Sequence, residues 1–450
     1  MSEIVDGMTS LLHKTSDLHR KLSQWMMGAG LLLLMASLLG TEVLGQATTY
    51  VSPSSEKNGR FGASIAGMGD LDGDGTADFL VGAPGEQVGS SAKAGRAYLF
   101  SGENGGAIYT LTAPDPVADG YFGTAVATLD AVTGDGIPEI AIGAIGPNRK
   151  GRVYLFNGRE GTLLRTLKSP SPTPGGLFGR TVAGTGDLNG DDIPDLAVGA
   201  IGDGEDRVYL FSGASGDLLY TLRSPTDGHD HFGQVASVGD VDGDDVPDLL
   251  IGASTTTVGD RSTAGRAYLY SGQNGKRIHT LTPPSSKVGH FGYLTAAGGD
   301  INGDDISEAI VGAAGNSGAA GRIYVYNGTD GTVLRTLRPP SPTADGYRGY
   351  SALSVGDVAE SGASELVLGT RLPARDSVQT GHVYLYDGAT GQRLRTFSPP
   401  ATRKKGQFGA SVGCTRAEDD SSRQILLVGA PEGNVQGKAG AGRVYRYSLP

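Results

Sequence analysis

The chain has 450 residues, a formal charge of −11, 74 glycines and one cysteine, Cys414. The acidic balance excludes the basic surface that nucleic-acid binding requires, and a lone cysteine excludes an intramolecular disulfide framework. Glycine is far above its usual share, which points either to disorder or to many regular turns, and the repeat described below selects the turns.

Residues 1 to 25 are polar and mixed in charge. A largely apolar run follows from Met26 to Leu39, with His19-Arg20-Lys21 upstream and Val43-Leu44-Gly45 downstream. The run is short for a bilayer span but suits the apolar region of a secretory signal. Residues 1–46 are therefore predicted to be a signal peptide with a long N-terminal region, cleaved near Gly45 or Ala47. An uncleaved anchor or a different start is the alternative. The protein is expected to be secreted, periplasmic or on the cell surface, with no stable transmembrane anchor.

From residue 47 the sequence repeats. Phe-Gly recurs at Phe61, Phe122, Phe178, Phe232, Phe291 and Phe408, and Arg348-Gly349 takes its place once, which gives seven units 54 to 61 residues apart. Fixed-period self-similarity decides the architecture before any local detail. Within a unit a first short run follows Phe-Gly (Ala63 to Gly69) and a second is Phe79-Leu-Val-Gly-Ala83. A third is Gly95-Arg-Ala-Tyr-Leu-Phe100, and a fourth surrounds Thr110-Leu111. β-Branched and aromatic runs bounded by Gly, Pro, Asn and Asp read as strands joined by turns. Four strands in each of seven units predict an all-β, seven-bladed β-propeller of four-stranded antiparallel blades over residues 47–450. The sequence ends on a third strand, and Thr49-Tyr-Val-Ser-Pro53 matches fourth-strand segments such as Thr166-Leu-Lys-Ser-Pro170. The N-terminal segment is therefore predicted to close the last blade and cover its edge.

Between the first and second strands of four units lies a nine-residue acidic loop, eight or nine residues after the Phe and four before a Gly-Ala pair. The candidate ligands are Asp70, Asp72, Asp74, Thr76 and Asp78 in unit one, and Asp187, Asn189, Asp191, Ile193 and Asp195 in unit three. Unit four has Asp240, Asp242, Asp244, Val246 and Asp248, and unit five has Asp300, Asn302, Asp304, Ile306 and Glu308. Side-chain oxygens fall at positions 1, 3, 5 and 9. Position 7 varies among Thr, Ile and Val, so it fits a backbone-carbonyl ligand. A hard divalent cation takes six to eight such oxygens when it is calcium. Position 4 is glycine and position 6 is Gly or Asp, types that tolerate left-handed backbone. About four Ca²⁺ sites are predicted. Units two (Ala131, Thr133, Asp135, Glu139), six (Asp357, Ala359, Ser361, Glu365) and seven (Ala417, Asp419, Ser421, Ile425) keep too few carboxylates and are predicted not to bind.

These residues resemble FG-GAP repeats, the units of the N-terminal β-propeller of integrin alpha subunits. The resemblance covers residues 47 to 450. It implies calcium in the loops on the lower face, and a ligand or partner subunit on the opposite face, where the second-to-third and fourth-to-first connections lie. With no leg domain, membrane helix, cytoplasmic tail or inserted domain in this sequence, the expectation is an adhesion or binding module for a protein or glycan, not a signalling receptor. A secreted lyase or hydrolase on the same ring and a structural subunit of an envelope complex are the alternatives. The segment Val383 to Leu394 also looks like the repeats of quinone-dependent dehydrogenase propellers, but those rely on docking tryptophans and the sole Trp here is Trp25, inside the predicted signal. No nucleophile–base motif stands out. His229-Asp-His231 and His290 read as ordinary loop residues, and the Arg that opens most third strands (Arg96, Arg152, Arg207, Arg266, Arg322, Arg443) as a structural contact shared by the blades.

Overall fold

The computed structural model describes residues 47–202, 206–226, 228–315, 321–338, 348–371, 381–400, 406–416 and 424–449. The predicted signal, most of the seventh loop and the Pro339–Tyr347 connection lie outside them. The described part is all-β apart from one short 3₁₀ turn, Pro147–Arg149, and forms seven four-stranded antiparallel sheets. Among the described residues no helix is long and apolar enough to cross a membrane.

Blade one sets the pattern, with strands Ser64–Gly67, Phe79–Ala83, Arg96–Phe100 and Ala107–Leu111 paired in chain order. The first strand of each blade touches that of the next, and blade seven returns to blade one, so the first strands surround a common axis. Strands crowd near that axis, and small residues answer the crowding, as in Phe178–Gly186. The second strand is buried along its whole length in blades one to four and seven. The fourth strands are mostly part-exposed and carry a buried Leu or Phe at or next to their last residue.

The core lies between blades rather than within them. One cluster joins Leu80, Leu99 and Leu111 of blade one to Ile140, Ile142 and Tyr154 of blade two, and equivalent clusters fill the next seams. Each Phe of the Phe-Gly pair is buried and sits against a third-strand Tyr, as in Phe61–Tyr98 with centroids 5.9 Å apart and Phe232–Tyr268 at 6.1 Å. The Gly of Gly-Ala answers a different need. A Cβ on Gly82 would lie 2.1 Å from the carbonyl oxygen of Gly123 in blade two, and one on Gly252 would lie 1.9 Å from that of Gly292 in blade five. Phe-Gly of one blade and Gly-Ala of the previous one are thus the two halves of a backbone-to-backbone contact. Hydroxyls reinforce it, with Ser64 donating to the Gly123 carbonyl at 2.9 Å and Ser411 to that of Gly62 at 2.8 Å.

Thr48–Tyr50 pairs antiparallel with the third strand of blade seven, Thr49 opposite Tyr445. The three-residue strand is anchored by what it touches next. The Tyr50 ring packs edge-on to Phe79 at 4.9 Å, and the Ser52 hydroxyl donates to the buried Glu86, both in blade one. One short segment therefore ties blade seven to blade one. Tyr50→Ala removes a buried aromatic at that joint and is expected to cost about 3 kcal/mol, read as a lowered denaturation midpoint with unchanged m-value. Gly252→Ala forces a methyl group into the facing backbone and is expected to cost about 1–3 kcal/mol by the same measurement.

Candidate metal centres

The up-and-down topology puts every first-to-second loop at the same end of its blade as the third-to-fourth hairpin. Local chemistry then shapes the loop. Asp70 Oδ1 accepts the N–H of Gly73 (2.7 Å) and Asp74 (3.1 Å), and Oδ2 accepts that of Gly75 (2.8 Å). Asp240 repeats this with Gly243, Asp244 and Asp245, and Asp187 with Gly190, Asp191 and Asp192. Asp300 receives Gly303 and Asp305. Wrapping the backbone round one carboxylate demands left-handed residues. Positions 4 and 6 supply them in unit one as Gly73 (φ 77°) and Gly75 (φ 84°), and in unit four as Gly243 (φ 81°) and Asp245 (φ 64°).

The position-9 acid is the deepest part of each loop. Asp78, Asp195, Asp248 and Glu308 are fully buried. Each accepts the N–H of position 2, namely Leu71 (2.8 Å), Leu188 (2.8 Å), Val241 (2.8 Å) and Ile301 (2.6 Å). The aspartates also accept an N–H from the neighbouring hairpin, from Gly102 (2.9 Å), Gly213 (3.0 Å) and Gly272 (3.0 Å). Glu139 and Glu365, in units two and six, receive Val132 (2.5 Å) and Val358 (2.6 Å) in the same way. The acid at position 9 is therefore a structural pin in all six described loops. Sequence reasoning treated it only as a ligand and missed position 2, whose side chain plugs the seam between blades as Val132, Leu188, Val241 or Ile301. Its signal was an apolar residue in all six loops that keep an acid at position 9.

Electrostatics set the loops apart. Burial first, then the neighbouring acids Asp72 and Asp74, push Asp78 up to about 6 against the pull of its N–H donors. Burial likewise raises Asp195 and Asp248 to about 6 and Glu308 to about 7. Asp72 and Asp242 are raised by desolvation and by the carboxylates beside them. Carboxylate oxygens of Asp70, Asp72 and Asp78 lie within 4.8 Å of one another, as do those of Asp240, Asp242 and Asp248. Like charges so gathered call for a cation, and an all-oxygen donor set suits a hard one.

Units three and five differ at position 3. The Asn189 amide donates to Asp195 (3.2 Å), and that of Asn302 donates to Glu308 (2.8 Å) and Asp304 (3.0 Å). The Nδ2 end faces the acids, and a half-turn of the amide would present Oδ1 instead. The position-7 side chains Ile193, Val246 and Ile306 turn onto the core and leave only their backbone for the loop interior. Asp191 and Asp244 at position 5 each accept the N–H of position 7 at 3.0 Å, as Asp74 does from Thr76 at 2.9 Å and Asp304 from Ile306 at 3.0 Å. In units two and six, predicted not to bind, other groups fill the centre. The Thr133 hydroxyl donates to Glu139 (2.7 Å) and Arg159 pairs with Asp135 (3.2 Å), while the Ser361 hydroxyl donates to Glu365 (3.1 Å).

The opposite face carries the other sequence candidates. His229 lies 3.7 Å from Asp206, and the Asp206 carboxylate accepts the backbone N–H of His231 at 2.7 Å. These contacts tie the connection down. The recurring third-strand Arg meets a Tyr two residues on, as Arg207 does with Tyr209 at 3.4 Å, while Arg96 adds Glu56 (3.2 Å) and Glu86 (3.4 Å).

The FG-GAP repeat profile matches residues 61–100 and 232–270. Human integrin alpha-IIb is 38% identical over 164 residues, which are 33% of this chain and 15% of that protein. Drosophila melanogaster integrin alpha-PS2 is 36% identical over 170 residues, 34% of this chain and 12% of its own length. Mouse integrin alpha-2 is 31% identical over 169 residues, 35% and 14% respectively. The chain is an integrin-alpha-like FG-GAP β-propeller. This FG-GAP propeller matches only about a seventh of the length of those relatives. A solved structure titled as the Dos1 propeller superposes with a TM-score of 0.46 at 14% identity, over 83% of this chain and 74% of that one.

Two outcomes are expected. In chelator, the raised acids make the folded FG-GAP propeller hold protons more tightly than the unfolded chain. That stabilisation is complete below about pH 4 and is lost as pH rises through 6 to 7, so the chelated protein should melt higher at pH 5.5 than at pH 8, and saturating calcium should flatten or reverse the trend. Asp248→Asn turns an N–H donor against N–H donors and should cost about 1–3 kcal/mol, more in calcium than in chelator. Glu139→Gln should cost the same in both, as thermal melts of the two variants in each buffer would report.

Proposed function

We propose that the chain is an exported, calcium-stiffened adhesion or protein-binding module. One observation carries this reading: the ion-ready loops share one face of the ring, and the long, varied connections share the other. Four Ca²⁺ ions are assigned to the loops of blades one, three, four and five. The ligands are Asp70, Asp72, Asp74, Asp78 and the Thr76 carbonyl, and the matching residues from Asp187 to Asp195, Asp240 to Asp248 and Asp300 to Glu308. Oxygen-only donors, raised acids and two crowded carboxylate triads support calcium there. An ion that binds the folded state alone stabilises it by roughly 2.7 kcal/mol at a hundredfold excess over its dissociation constant. An exported chain without disulfides has use for that stabilisation.

The resemblance to integrin alpha propellers supports a ligand face opposite the ions. On that face the connections of blades one, four and seven form small bridged fingers, closed at Val88–Ser91, Val258–Arg261 and Val435–Lys438. Recognition commonly sits on such loops above a rigid scaffold. Binding rather than turnover is proposed because the buried acids of the lower loops are engaged by backbone donors.

Beads coated with the full chain should attach to cells of the producing organism. Charge reversal of the fingers (Lys93→Glu, Arg261→Glu and Lys438→Glu together) should lower attachment at least tenfold with an unchanged melting temperature. Loss of attachment in Asp72→Asn or Asp242→Asn at unchanged melting temperature would assign the binding face to the wrong side.

A further inference from the structure

The axis opens on the upper face as a cavity of about 750 Å³, and its lining includes Arg60, Arg149 and Arg180. They come from three successive blades. Arg60 precedes the Phe-Gly of blade one, Arg149 ends the 3₁₀ turn between the second and third strands of blade two, and Arg180 follows Phe-Gly in blade three. All three side chains are exposed, and none has an ion-pair partner among the described residues. The carboxylate lining the same cavity, Asp119, is already engaged by Lys93 at 3.3 Å and by the Tyr121 hydroxyl at 3.1 Å. The described lining is thus net positive on a chain whose net charge is −11.

The turn that carries Arg60 is common to the blades. The residue before Phe-Gly is left-handed in every blade where it is described: Arg60 (φ 59°), Tyr121 (51°), Leu177 (48°), His231 (58°), His290 (51°) and Gln407 (54°). Arg149 is left-handed too (56°). Glycine adopts this conformation most readily, yet none of these positions is glycine. Arg60, Tyr121, Arg149 and Gln407 are left-handed and line the cavity.

We propose that this mouth receives an acidic, carboxylate-bearing segment of a protein partner, inserted end-on along the axis. The proposal rests on the binding-module reading and names its ligand chemistry. Among the described residues the lining has three arginines and no lysine. A guanidinium fork holds a carboxylate by two parallel hydrogen bonds, which an ammonium cannot do. Arginine with tyrosine (Tyr121 and Tyr293 also line the cavity) is the pairing that dominates protein-interface hot spots. The volume admits a few side chains, not a folded domain.

The test is fluorescence anisotropy on the full chain in calcium, with labelled hexaglutamate as probe and hexalysine and a heparin-derived hexasaccharide as comparators. Hexaglutamate should bind, weaken as salt rises, and lose at least tenfold in affinity in Arg149→Glu and in Arg180→Glu. The milder Arg149→Gln and Arg180→Gln should lose less, with melting temperature unchanged in all four. Hexalysine should not bind. Absence of hexaglutamate binding, affinity indifferent to all four substitutions, or preference of the mouth for the sulfated hexasaccharide would each overturn the proposal. Bead attachment separates the two readings. Attachment that persists without hexaglutamate binding overturns the mouth and spares the module. Hexaglutamate binding without any attachment supports the mouth and overturns the module.

Discussion

A buried carboxylate at the base of six of the loops holds this propeller's lower face in order. In blades one, three and four it accepts at least one N–H from its own loop and one from the hairpin beside it, so a single side chain joins two turns about twenty residues apart. Ionised, it fits that role but is penalised by burial, which raises it toward neutrality. A proton relieves the penalty and weakens its acceptor capacity. A hard cation relieves it without that loss. The chemistry of the loops follows from this conflict.

The rest of the ring transmits that order. Position 2 of the loops in blades two to five donates to the carboxylate and places its apolar side chain in the seam between blades. On the way to the upper face, Gly-Ala of one blade meets Phe-Gly of the next with no room for a methyl group. Loop, seam and upper connection are therefore joined by a continuous run of packed contacts. The N-terminal strand completes the circuit by bonding to blade seven while its Tyr50 packs on blade one.

Much of this was legible in the residues. The period, the four strands per unit and the oxygen ligands at positions 1, 3, 5 and 9 depend on local pattern, which a sequence displays directly. What escaped depends on neighbours through space. Nothing local shows that Asp78 meets Gly102, or that Glu139 and Glu365 keep a structural role in loops that lack the other ligands. Asn189 and Asn302 look equivalent to aspartate in a ligand count, yet their amides donate to the position-9 acids. The left-handed residues before Phe-Gly vary from Arg to Leu, so no composition rule marks them. Only the backbone angles do.

The most direct measurement counts bound calcium by equilibrium dialysis on the full chain and follows melting before and after EDTA. The account expects about four ions per chain and a fall in melting temperature of roughly 10 °C or more on chelation. A chain that retains no calcium, or that melts at the same temperature in EDTA, would contradict it.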